Sequence, residues 1–213
     1  MIMKIAIFIF DGITALDAIG PYESLARIAD SEIVFVAKQT GTVRTGDGFL
    51  ALRADTSIDD LHEADVLIIP GGHPRGLKVE VSDASLLSWI KRIDATTTWT
   101  CSVCTGSLIL AATGLLSGRK VSTHWRAQDV LVRFSAIYSP DRTTVDGKYM
   151  TSAGVSAGID MGLALCGELV GRDLAEAIEL SMQYDPKPPY GTGDPTRFAT
   201  PTRVKLMENQ LRK

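Results

Sequence analysis

Apolar residues fall in short runs separated by glycine, proline and aspartate. Ile5–Phe10 (IAIFIF) is continuously apolar and mostly β-branched or aromatic, the pattern of a strand buried on both faces of a parallel sheet. Asp11-Gly12 closes it in a turn. Leu16-Asp17-Ala18-Ile19-Gly20-Pro21 then leads into Tyr22–Ala29. Proline suits the first turn of a helix and disrupts its interior, so the main helix is expected to begin near Gly20-Pro21. That places Asp17 just ahead of the helix, above the end of the first strand.

The pattern continues in the same alternation. Ile33–Ala37 reads as a second strand, and Thr42–Arg53, with Gly46-Asp47-Gly48 between two β-prone runs, as a hairpin. Ala64–Pro70 (ADVLIIP) is another buried strand, ended by Pro70-Gly71-Gly72. Asp83–Ala95 has helical periodicity with an aspartate cap, Thr96–Val103 is β-rich, and Thr105–Gly114 is helical. Arg119–Ser122 is a short strand and Trp125–Phe134 a helix. Arg142–Val145 and Tyr149–Ser152 flank Asp146-Gly147 as a hairpin, and Ser156–Val170 and Asp173–Gln183 are helices. Asp185–Pro201 holds five of the nine prolines and reads as an irregular crossing before a short terminal helix.

No repeat, heptad or low-complexity tract interrupts this alternation. It predicts one α/β domain over residues 1–213, with a core at about 3–185 and a C-terminal extension at 186–213. Its sheet is expected to be mostly parallel and sandwiched by helices. Ligands in such sheets sit beyond the carboxyl ends of the strands, here Asp11–Asp17, Pro70–His73 and Val103–Ser107.

Composition narrows the function. A length of 213 residues, 45% hydrophobic, suits a globular chain and excludes disorder. With 22 basic against 25 acidic side chains, a nucleic-acid partner is not expected. No run reaches membrane-spanning length, and the apolar N-terminus is too short for a secretory signal. His62, His73 and His124 do not cluster with the cysteines, so no metal site is expected. Three cysteines, an odd number, with no secretory signal point to a reducing cytoplasm.

Val103-Cys104-Thr105-Gly106-Ser107 lies where a β-run gives way at once to a helical run. A strained strand-to-helix turn of this kind exposes a nucleophile, and the helix start and backbone N–H groups would favour thiolate over thiol. A free cysteine is otherwise a small buried hydrophobe, but the turn and its glycine favour the nucleophile. Gly71 and Gly72 let backbone N–H groups turn toward a ligand. Gly72 N–H and Thr105 N–H could pair as anion donors beside Cys104, or the glycines could simply make a turn.

Several motifs together resemble the ThiJ/PfpI superfamily, of class I glutamine-amidotransferase-like (flavodoxin-like) fold. They are Ile68-Ile69-Pro70-Gly71-Gly72, the Cys104 elbow, Ser122-Thr123-His124-Trp125, and Thr151–Gly154 through Gly158-Ile159-Asp160. The resemblance spans roughly residues 3–185. Leu16–Pro21, Ser102–Ser107 and Tyr184–Pro189 look most like isonitrile (isocyanide) hydratases. The same branch resembles the amidotransferase-like domains of AraC-type regulators, but a chain ending at Lys213 is expected to have no helix-turn-helix module.

The resemblance implies that Cys104 is the nucleophile and Asp17 its acidic partner. By residue type alone Asp17 reads as a helix cap. Beside a thiolate in a dry site, the two would share a proton, which Asp17 could donate and recover. Protease- and glyoxalase-like branches carry histidine directly after the nucleophile. Here Thr105 stands there, so amide hydrolysis lacks its base. Isocyanide hydration needs only a soft nucleophile, one proton and water, with Thr105 assisting by hydrogen bonding. The resemblance therefore implies a cofactor-free lyase acting on an organic isocyanide, and a homodimer. A cysteine-based redox or stress-response protein and a PfpI-like amidase or peptidase are the alternatives.

The remaining candidates have lesser roles. Val155 borders the nucleophile with apolar character, and His124 approaches from the side as a supporting residue. His73 edges the pocket. Cys101 and Cys104 form a formal C-x-x-C, but Cys101 lies in the β-run and is expected to pack in the sheet rather than form a disulfide. Cys166 is expected in the core. Asp160, inside an apolar helix, needs a partner, and the family pattern makes it Arg142.

Overall fold

The computed structural model describes residues 2–211. Within them the chain forms two compact units that divide between Met182 and Gln183. In the first, β1 (Met3–Phe8) leads to α1 (Ala15–Leu25), then to β2 (Ser31–Ala37), β3 (Gly41–Arg44), β4 (Ala51–Ala54) and β5 (Thr56–Ser57). There follow β6 (Val66–Ile69), α2 (Pro74–Glu80), α3 (Ala84–Asp94), β7 (Trp99–Val103) and α4 (Gly106–Ala112). Next come β8 (Lys120–Ser122), a 3₁₀ turn at Trp125–Ala127, α5 (Gln128–Val132) and β9 (Ile137–Ser139). The hairpin β10 (Thr143–Asp146) and β11 (Tyr149–Ser152) precedes α6 (Ala157–Val170) and α7 (Arg172–Ser181). The second unit holds α8 (Pro195–Phe198), capped by the Asp194 carboxylate, and α9 (Pro201–Leu211).

Among the described residues, seven strands form one sheet in the order β10-β11-β7-β6-β1-β2-β5. Every pair is parallel except the β10-β11 hairpin. The sheet is flanked by two helix groups, α1 with α6 and α7, and α4 with α2, α3 and α5. The apolar runs of the sequence are its centre. Ile5, Ile7, Phe8, Leu67, Ile68 and Ile69 are wholly buried, as strands covered on both faces require.

The structure corrects the start of the first helix. α1 begins at Ala15, and Asp17 lies in its first turn rather than ahead of it. Pro21 is inside the helix, where it lacks the N–H that would bond the Asp17 carbonyl. Tertiary packing overrides that local cost. Pro21, Ser24 and Leu25 are buried, and α1 lies along α6 in close contact. The approach is close because Gly162 faces Pro21, where a Cβ would come within 2.9 Å of the Pro21 Cα.

At the end of the sheet where β7 and β11 begin, a buried polar cluster fixes both strands. The Asp94 carboxylate accepts from Thr100 Oγ1 at 2.7 Å and Tyr149 Oη at 3.2 Å, and pairs with Lys148 at 3.2 Å. β7 is thereby anchored at its start and delivers Cys104 at its far end.

Candidate active site

The turns after β1, β6, β7 and β11 converge at one point beyond the carboxyl ends of the strands. Cys104 has φ +57°, the left-handed region that L side chains rarely adopt. Such a backbone at the junction of β7 and α4 is the strained elbow inferred from the sequence. Its N–H donates to the Ser152 and Ala153 carbonyls at 3.1 and 3.0 Å. Its carbonyl accepts from Ser107 Oγ and Thr123 Oγ1, each at 3.1 Å. Gly106 permits the sharp entry to α4, since a Cβ there would lie 2.0 Å from the Ile69 carbonyl oxygen.

Asp17 reaches this elbow from α1. It is fully buried, and its Oδ2 accepts from the Gly71 N–H at 3.0 Å. The cap of α1 is Thr14, so the carboxylate is not a helix cap. Its Oδ1 is buried with no hydrogen-bond partner. Burial pushes the Asp17 carboxyl up to about 7, against the opposing pull of the Gly71 N–H and the Cys104 thiol. Cys104 is 5% exposed. Burial, and then the negative charge of Asp17, push its thiol up to about 12, while N–H groups of Val155 and Thr105 and the Thr105 hydroxyl pull it down.

Donors at the elbow pull toward the thiolate, as expected, but desolvation and Asp17 pull harder toward the thiol, the direction of a proton shared by the pair. The donors differ from the expected pair. The Gly72 N–H is engaged by Thr105 Oγ1 at 3.1 Å, and it is Val155, through its backbone, that joins Thr105 at the sulfur.

His124 stands one layer out. Its Nδ1 accepts from the Arg126 N–H at 3.3 Å, and its ring lies against Gly154, next to Val155. Burial, and then the nearby Arg126 charge, hold the imidazole below its usual range. His73 caps α2. Cys101 is wholly buried in β7, and Cys101, Cys104 and Cys166 are all free thiols. Arg142 and Asp160 pair at 2.5 Å, as the family pattern implied. Among the described residues no group of His, Cys, Asp or Glu is arranged to hold a metal ion, and no helix is long and apolar enough to cross a membrane.

Ser107 and Thr123 stand in sequence motifs without a role of their own, yet both reach the Cys104 carbonyl. The available signal was a hydroxyl three residues after the nucleophile, where a first helical turn brings it back to the Cys104 carbonyl.

A carboxyl from the first crossover helix and a cysteine on a strand-to-helix elbow, over a mostly parallel sheet, define the class to which the fold and site belong, an α/β protein with a buried cysteine–carboxyl pair at the strand ends. The turns that build the site all lie within the span a family comparison matches. The chain belongs to the DJ-1/PfpI family, whose model matches residues 3–168. It is 38% identical to the isonitrile hydratase of Pseudomonas putida over 92% of this chain and 84% of that protein. It is 30% identical to the HTH-type transcriptional regulator CdhR of Pseudomonas aeruginosa, over 68% of this chain but 42% of the regulator. The crystal structure of a ThiJ/PfpI family protein from Pseudomonas syringae superposes with a TM-score of 0.91 at 34% identity, covering 98% of this chain and 85% of that one.

Proposed function

We propose that this chain is an isonitrile hydratase-type lyase, adding water to an organic isocyanide to give an N-substituted formamide. The observation that carries the reading is the buried Asp17–Cys104 pair, held by the Gly71 N–H, in a homologue of isonitrile hydratase. An isocyanide is neutral, and its terminal carbon accepts both a nucleophile and a proton. A thiol and a carboxyl titrating near neutrality match that demand without a charged anchor.

In the proposed cycle the Cys104 sulfur bonds to the terminal carbon as that carbon takes a proton through Asp17, giving a thioimidate. Water then adds to the same carbon, and the nitrogen is protonated. The C–S bond breaks, the formamide leaves, and the sulfur recovers its proton through Asp17. The Thr105 and Val155 N–H groups bear on the sulfur and stabilise charge that develops there. No oxidant, reductant or metal enters this balance. The homodimer and the cytoplasmic setting implied by the family belong to the same reading.

Purified protein is incubated with a simple aryl or alkyl isocyanide and the formamide is quantified. Turnover is expected, with its loss in Cys104→Ala and a fall of about 10²–10⁴ in kcat for Asp17→Asn. Turnover surviving in Cys104→Ala rejects the covalent mechanism, and full activity in Asp17→Asn removes Asp17 from it. If wild-type protein makes no formamide, peroxide modification of Cys104 would favour a redox role, and amide turnover a hydrolase.

A further inference from the structure

The peptide that joins Cys104 to Thr105 has one face toward the sulfur and the other toward a buried hydroxyl group network. An amide is planar and trans, so its C=O and N–H point in opposite directions. Fixing the Cys104 carbonyl therefore fixes where the Thr105 N–H aims. That carbonyl accepts from Thr123 Oγ1 and from Ser107 Oγ, each at 3.1 Å, and Ser107 Oγ lies 2.7 Å from Thr123 Oγ1. Ser107 is wholly buried and Thr123 is 1% exposed, so no solvent replaces either hydroxyl.

The network is itself anchored. Thr123 follows β8, which pairs only with β9 among the described strands and lies outside the main sheet. Side chains of the sheet hold it in place instead. Ser122 N–H donates to Thr151 Oγ1 of β11 at 2.8 Å, and Ser122 Oγ meets Thr144 Oγ1 of β10 at 2.7 Å and the Asp141 carbonyl at 2.7 Å. Thr123 is thus held by the strands that also carry the loop to Val155.

We propose that Thr123 and Ser107 are positioning residues for the nucleophile, holding the Cys104 carbonyl so that the Thr105 N–H of the same peptide faces the sulfur. Ser107 donating to Thr123, and Thr123 to the carbonyl, form a relay that polarises the amide and makes its N–H a stronger donor. They act at the moment the sulfur carries charge, and they keep the left-handed Cys104 from relaxing to an ordinary turn. This rests on Cys104 being the nucleophile, but the thiol's own chemistry tests it without any isocyanide.

The test is the pH profile of iodoacetamide alkylation at Cys104, followed by mass spectrometry of its peptide, in folded full-length protein. Thr123→Val keeps the shape and removes the hydroxyl. The profile is expected to move upward by about half to one pH unit and alkylation at pH 8 to slow about two- to fivefold, the effect of a weakened and misdirected Thr105 N–H at the charged sulfur. Thr123→Ser should restore the wild-type profile, and Ser107→Ala should move it in the same direction. A profile unchanged in both Thr123→Val and Ser107→Ala overturns the proposal. So does slower alkylation at an unchanged midpoint, which is a loss of access rather than of aim. If Thr123→Val does not fold, Ser107→Ala alone decides. Failure of the hydratase reading registers only in the formamide assay, so the two can fail separately.

Discussion

Asp17 shows how much one side chain depends on where the fold puts it. Unfolded, its carboxyl titrates at the ordinary value of 3.8; folded, it titrates at about 7. Between those values the native state binds the proton more tightly than the unfolded chain, so stability falls as pH rises through that window. Below about pH 4 both states hold the proton and the penalty vanishes; above about 7 it is complete. The span corresponds to at most about 4 kcal/mol, shared with the neighbouring thiol. Urea titrations from pH 5 to 8 should show wild-type stability declining, and Asp17→Asn declining less and gaining on wild type at pH 8. Parallel curves for the two proteins would place the strain elsewhere. The sequence made Cys104 legible, because a β-run turning at once into Thr105-Gly106 advertises an elbow. Its protonation was legible only as a proton shared with Asp17; how far each group shifts depends on how dry the completed site is. The Val155 N–H was not legible, being a backbone donor with no signature in residue type.

At the scale of elements, the runs that are apolar throughout were readable, and so were Asp83 as a cap and both hairpins. What failed was local rule against tertiary contact. Pro21 argued for a helix start, yet α1 runs from Ala15 because its buried face against α6 outweighs a broken turn. The short α2 was missed too, although Pro74 at its first turn is a helix-start signal, because seven residues carry little periodicity. The α1–α6 contact yields its own prediction. Gly162→Ala should gain about 1 kcal/mol of helix propensity, but its Cβ would lie 2.2 Å from Ser24 Oγ and 2.9 Å from Pro21 Cα. Overpacking of that kind costs about 1–3 kcal/mol, so the net effect is destabilising. Because α1 carries Asp17, turnover should fall along with the denaturation midpoint. A Gly162→Ala protein more stable than wild type would mean the helices part without cost.

Across the molecule, stability is graded from the centre of the sheet outward. β6 and β7 are central, paired on both sides, and buried apart from Trp99 at the start of β7, whereas residues 183–194 are mostly exposed and lie outside the described helices. Hydrogen exchange followed by mass spectrometry should find β1, β6 and β7 exchanging slowest and 183–194 within seconds to minutes. Strong protection across 183–194 would contradict that gradient. The α/β architecture was legible in the alternation of buried runs and helices, but the order of strands was not, because pairing depends on contacts far apart in the chain.

The convergence of turns has one more consequence. The carboxyl comes from the first crossover, its N–H support from the turn after β6, the thiol from the turn after β7, and the second donor from beyond β11. No fragment of the chain contains the chemistry. A nicked or half-folded copy would offer only an ordinary cysteine, without its proton source or its shelter from water. If the proposed activity is right, it is a property of completed assembly, and its loss should track loss of architecture wherever the damage falls.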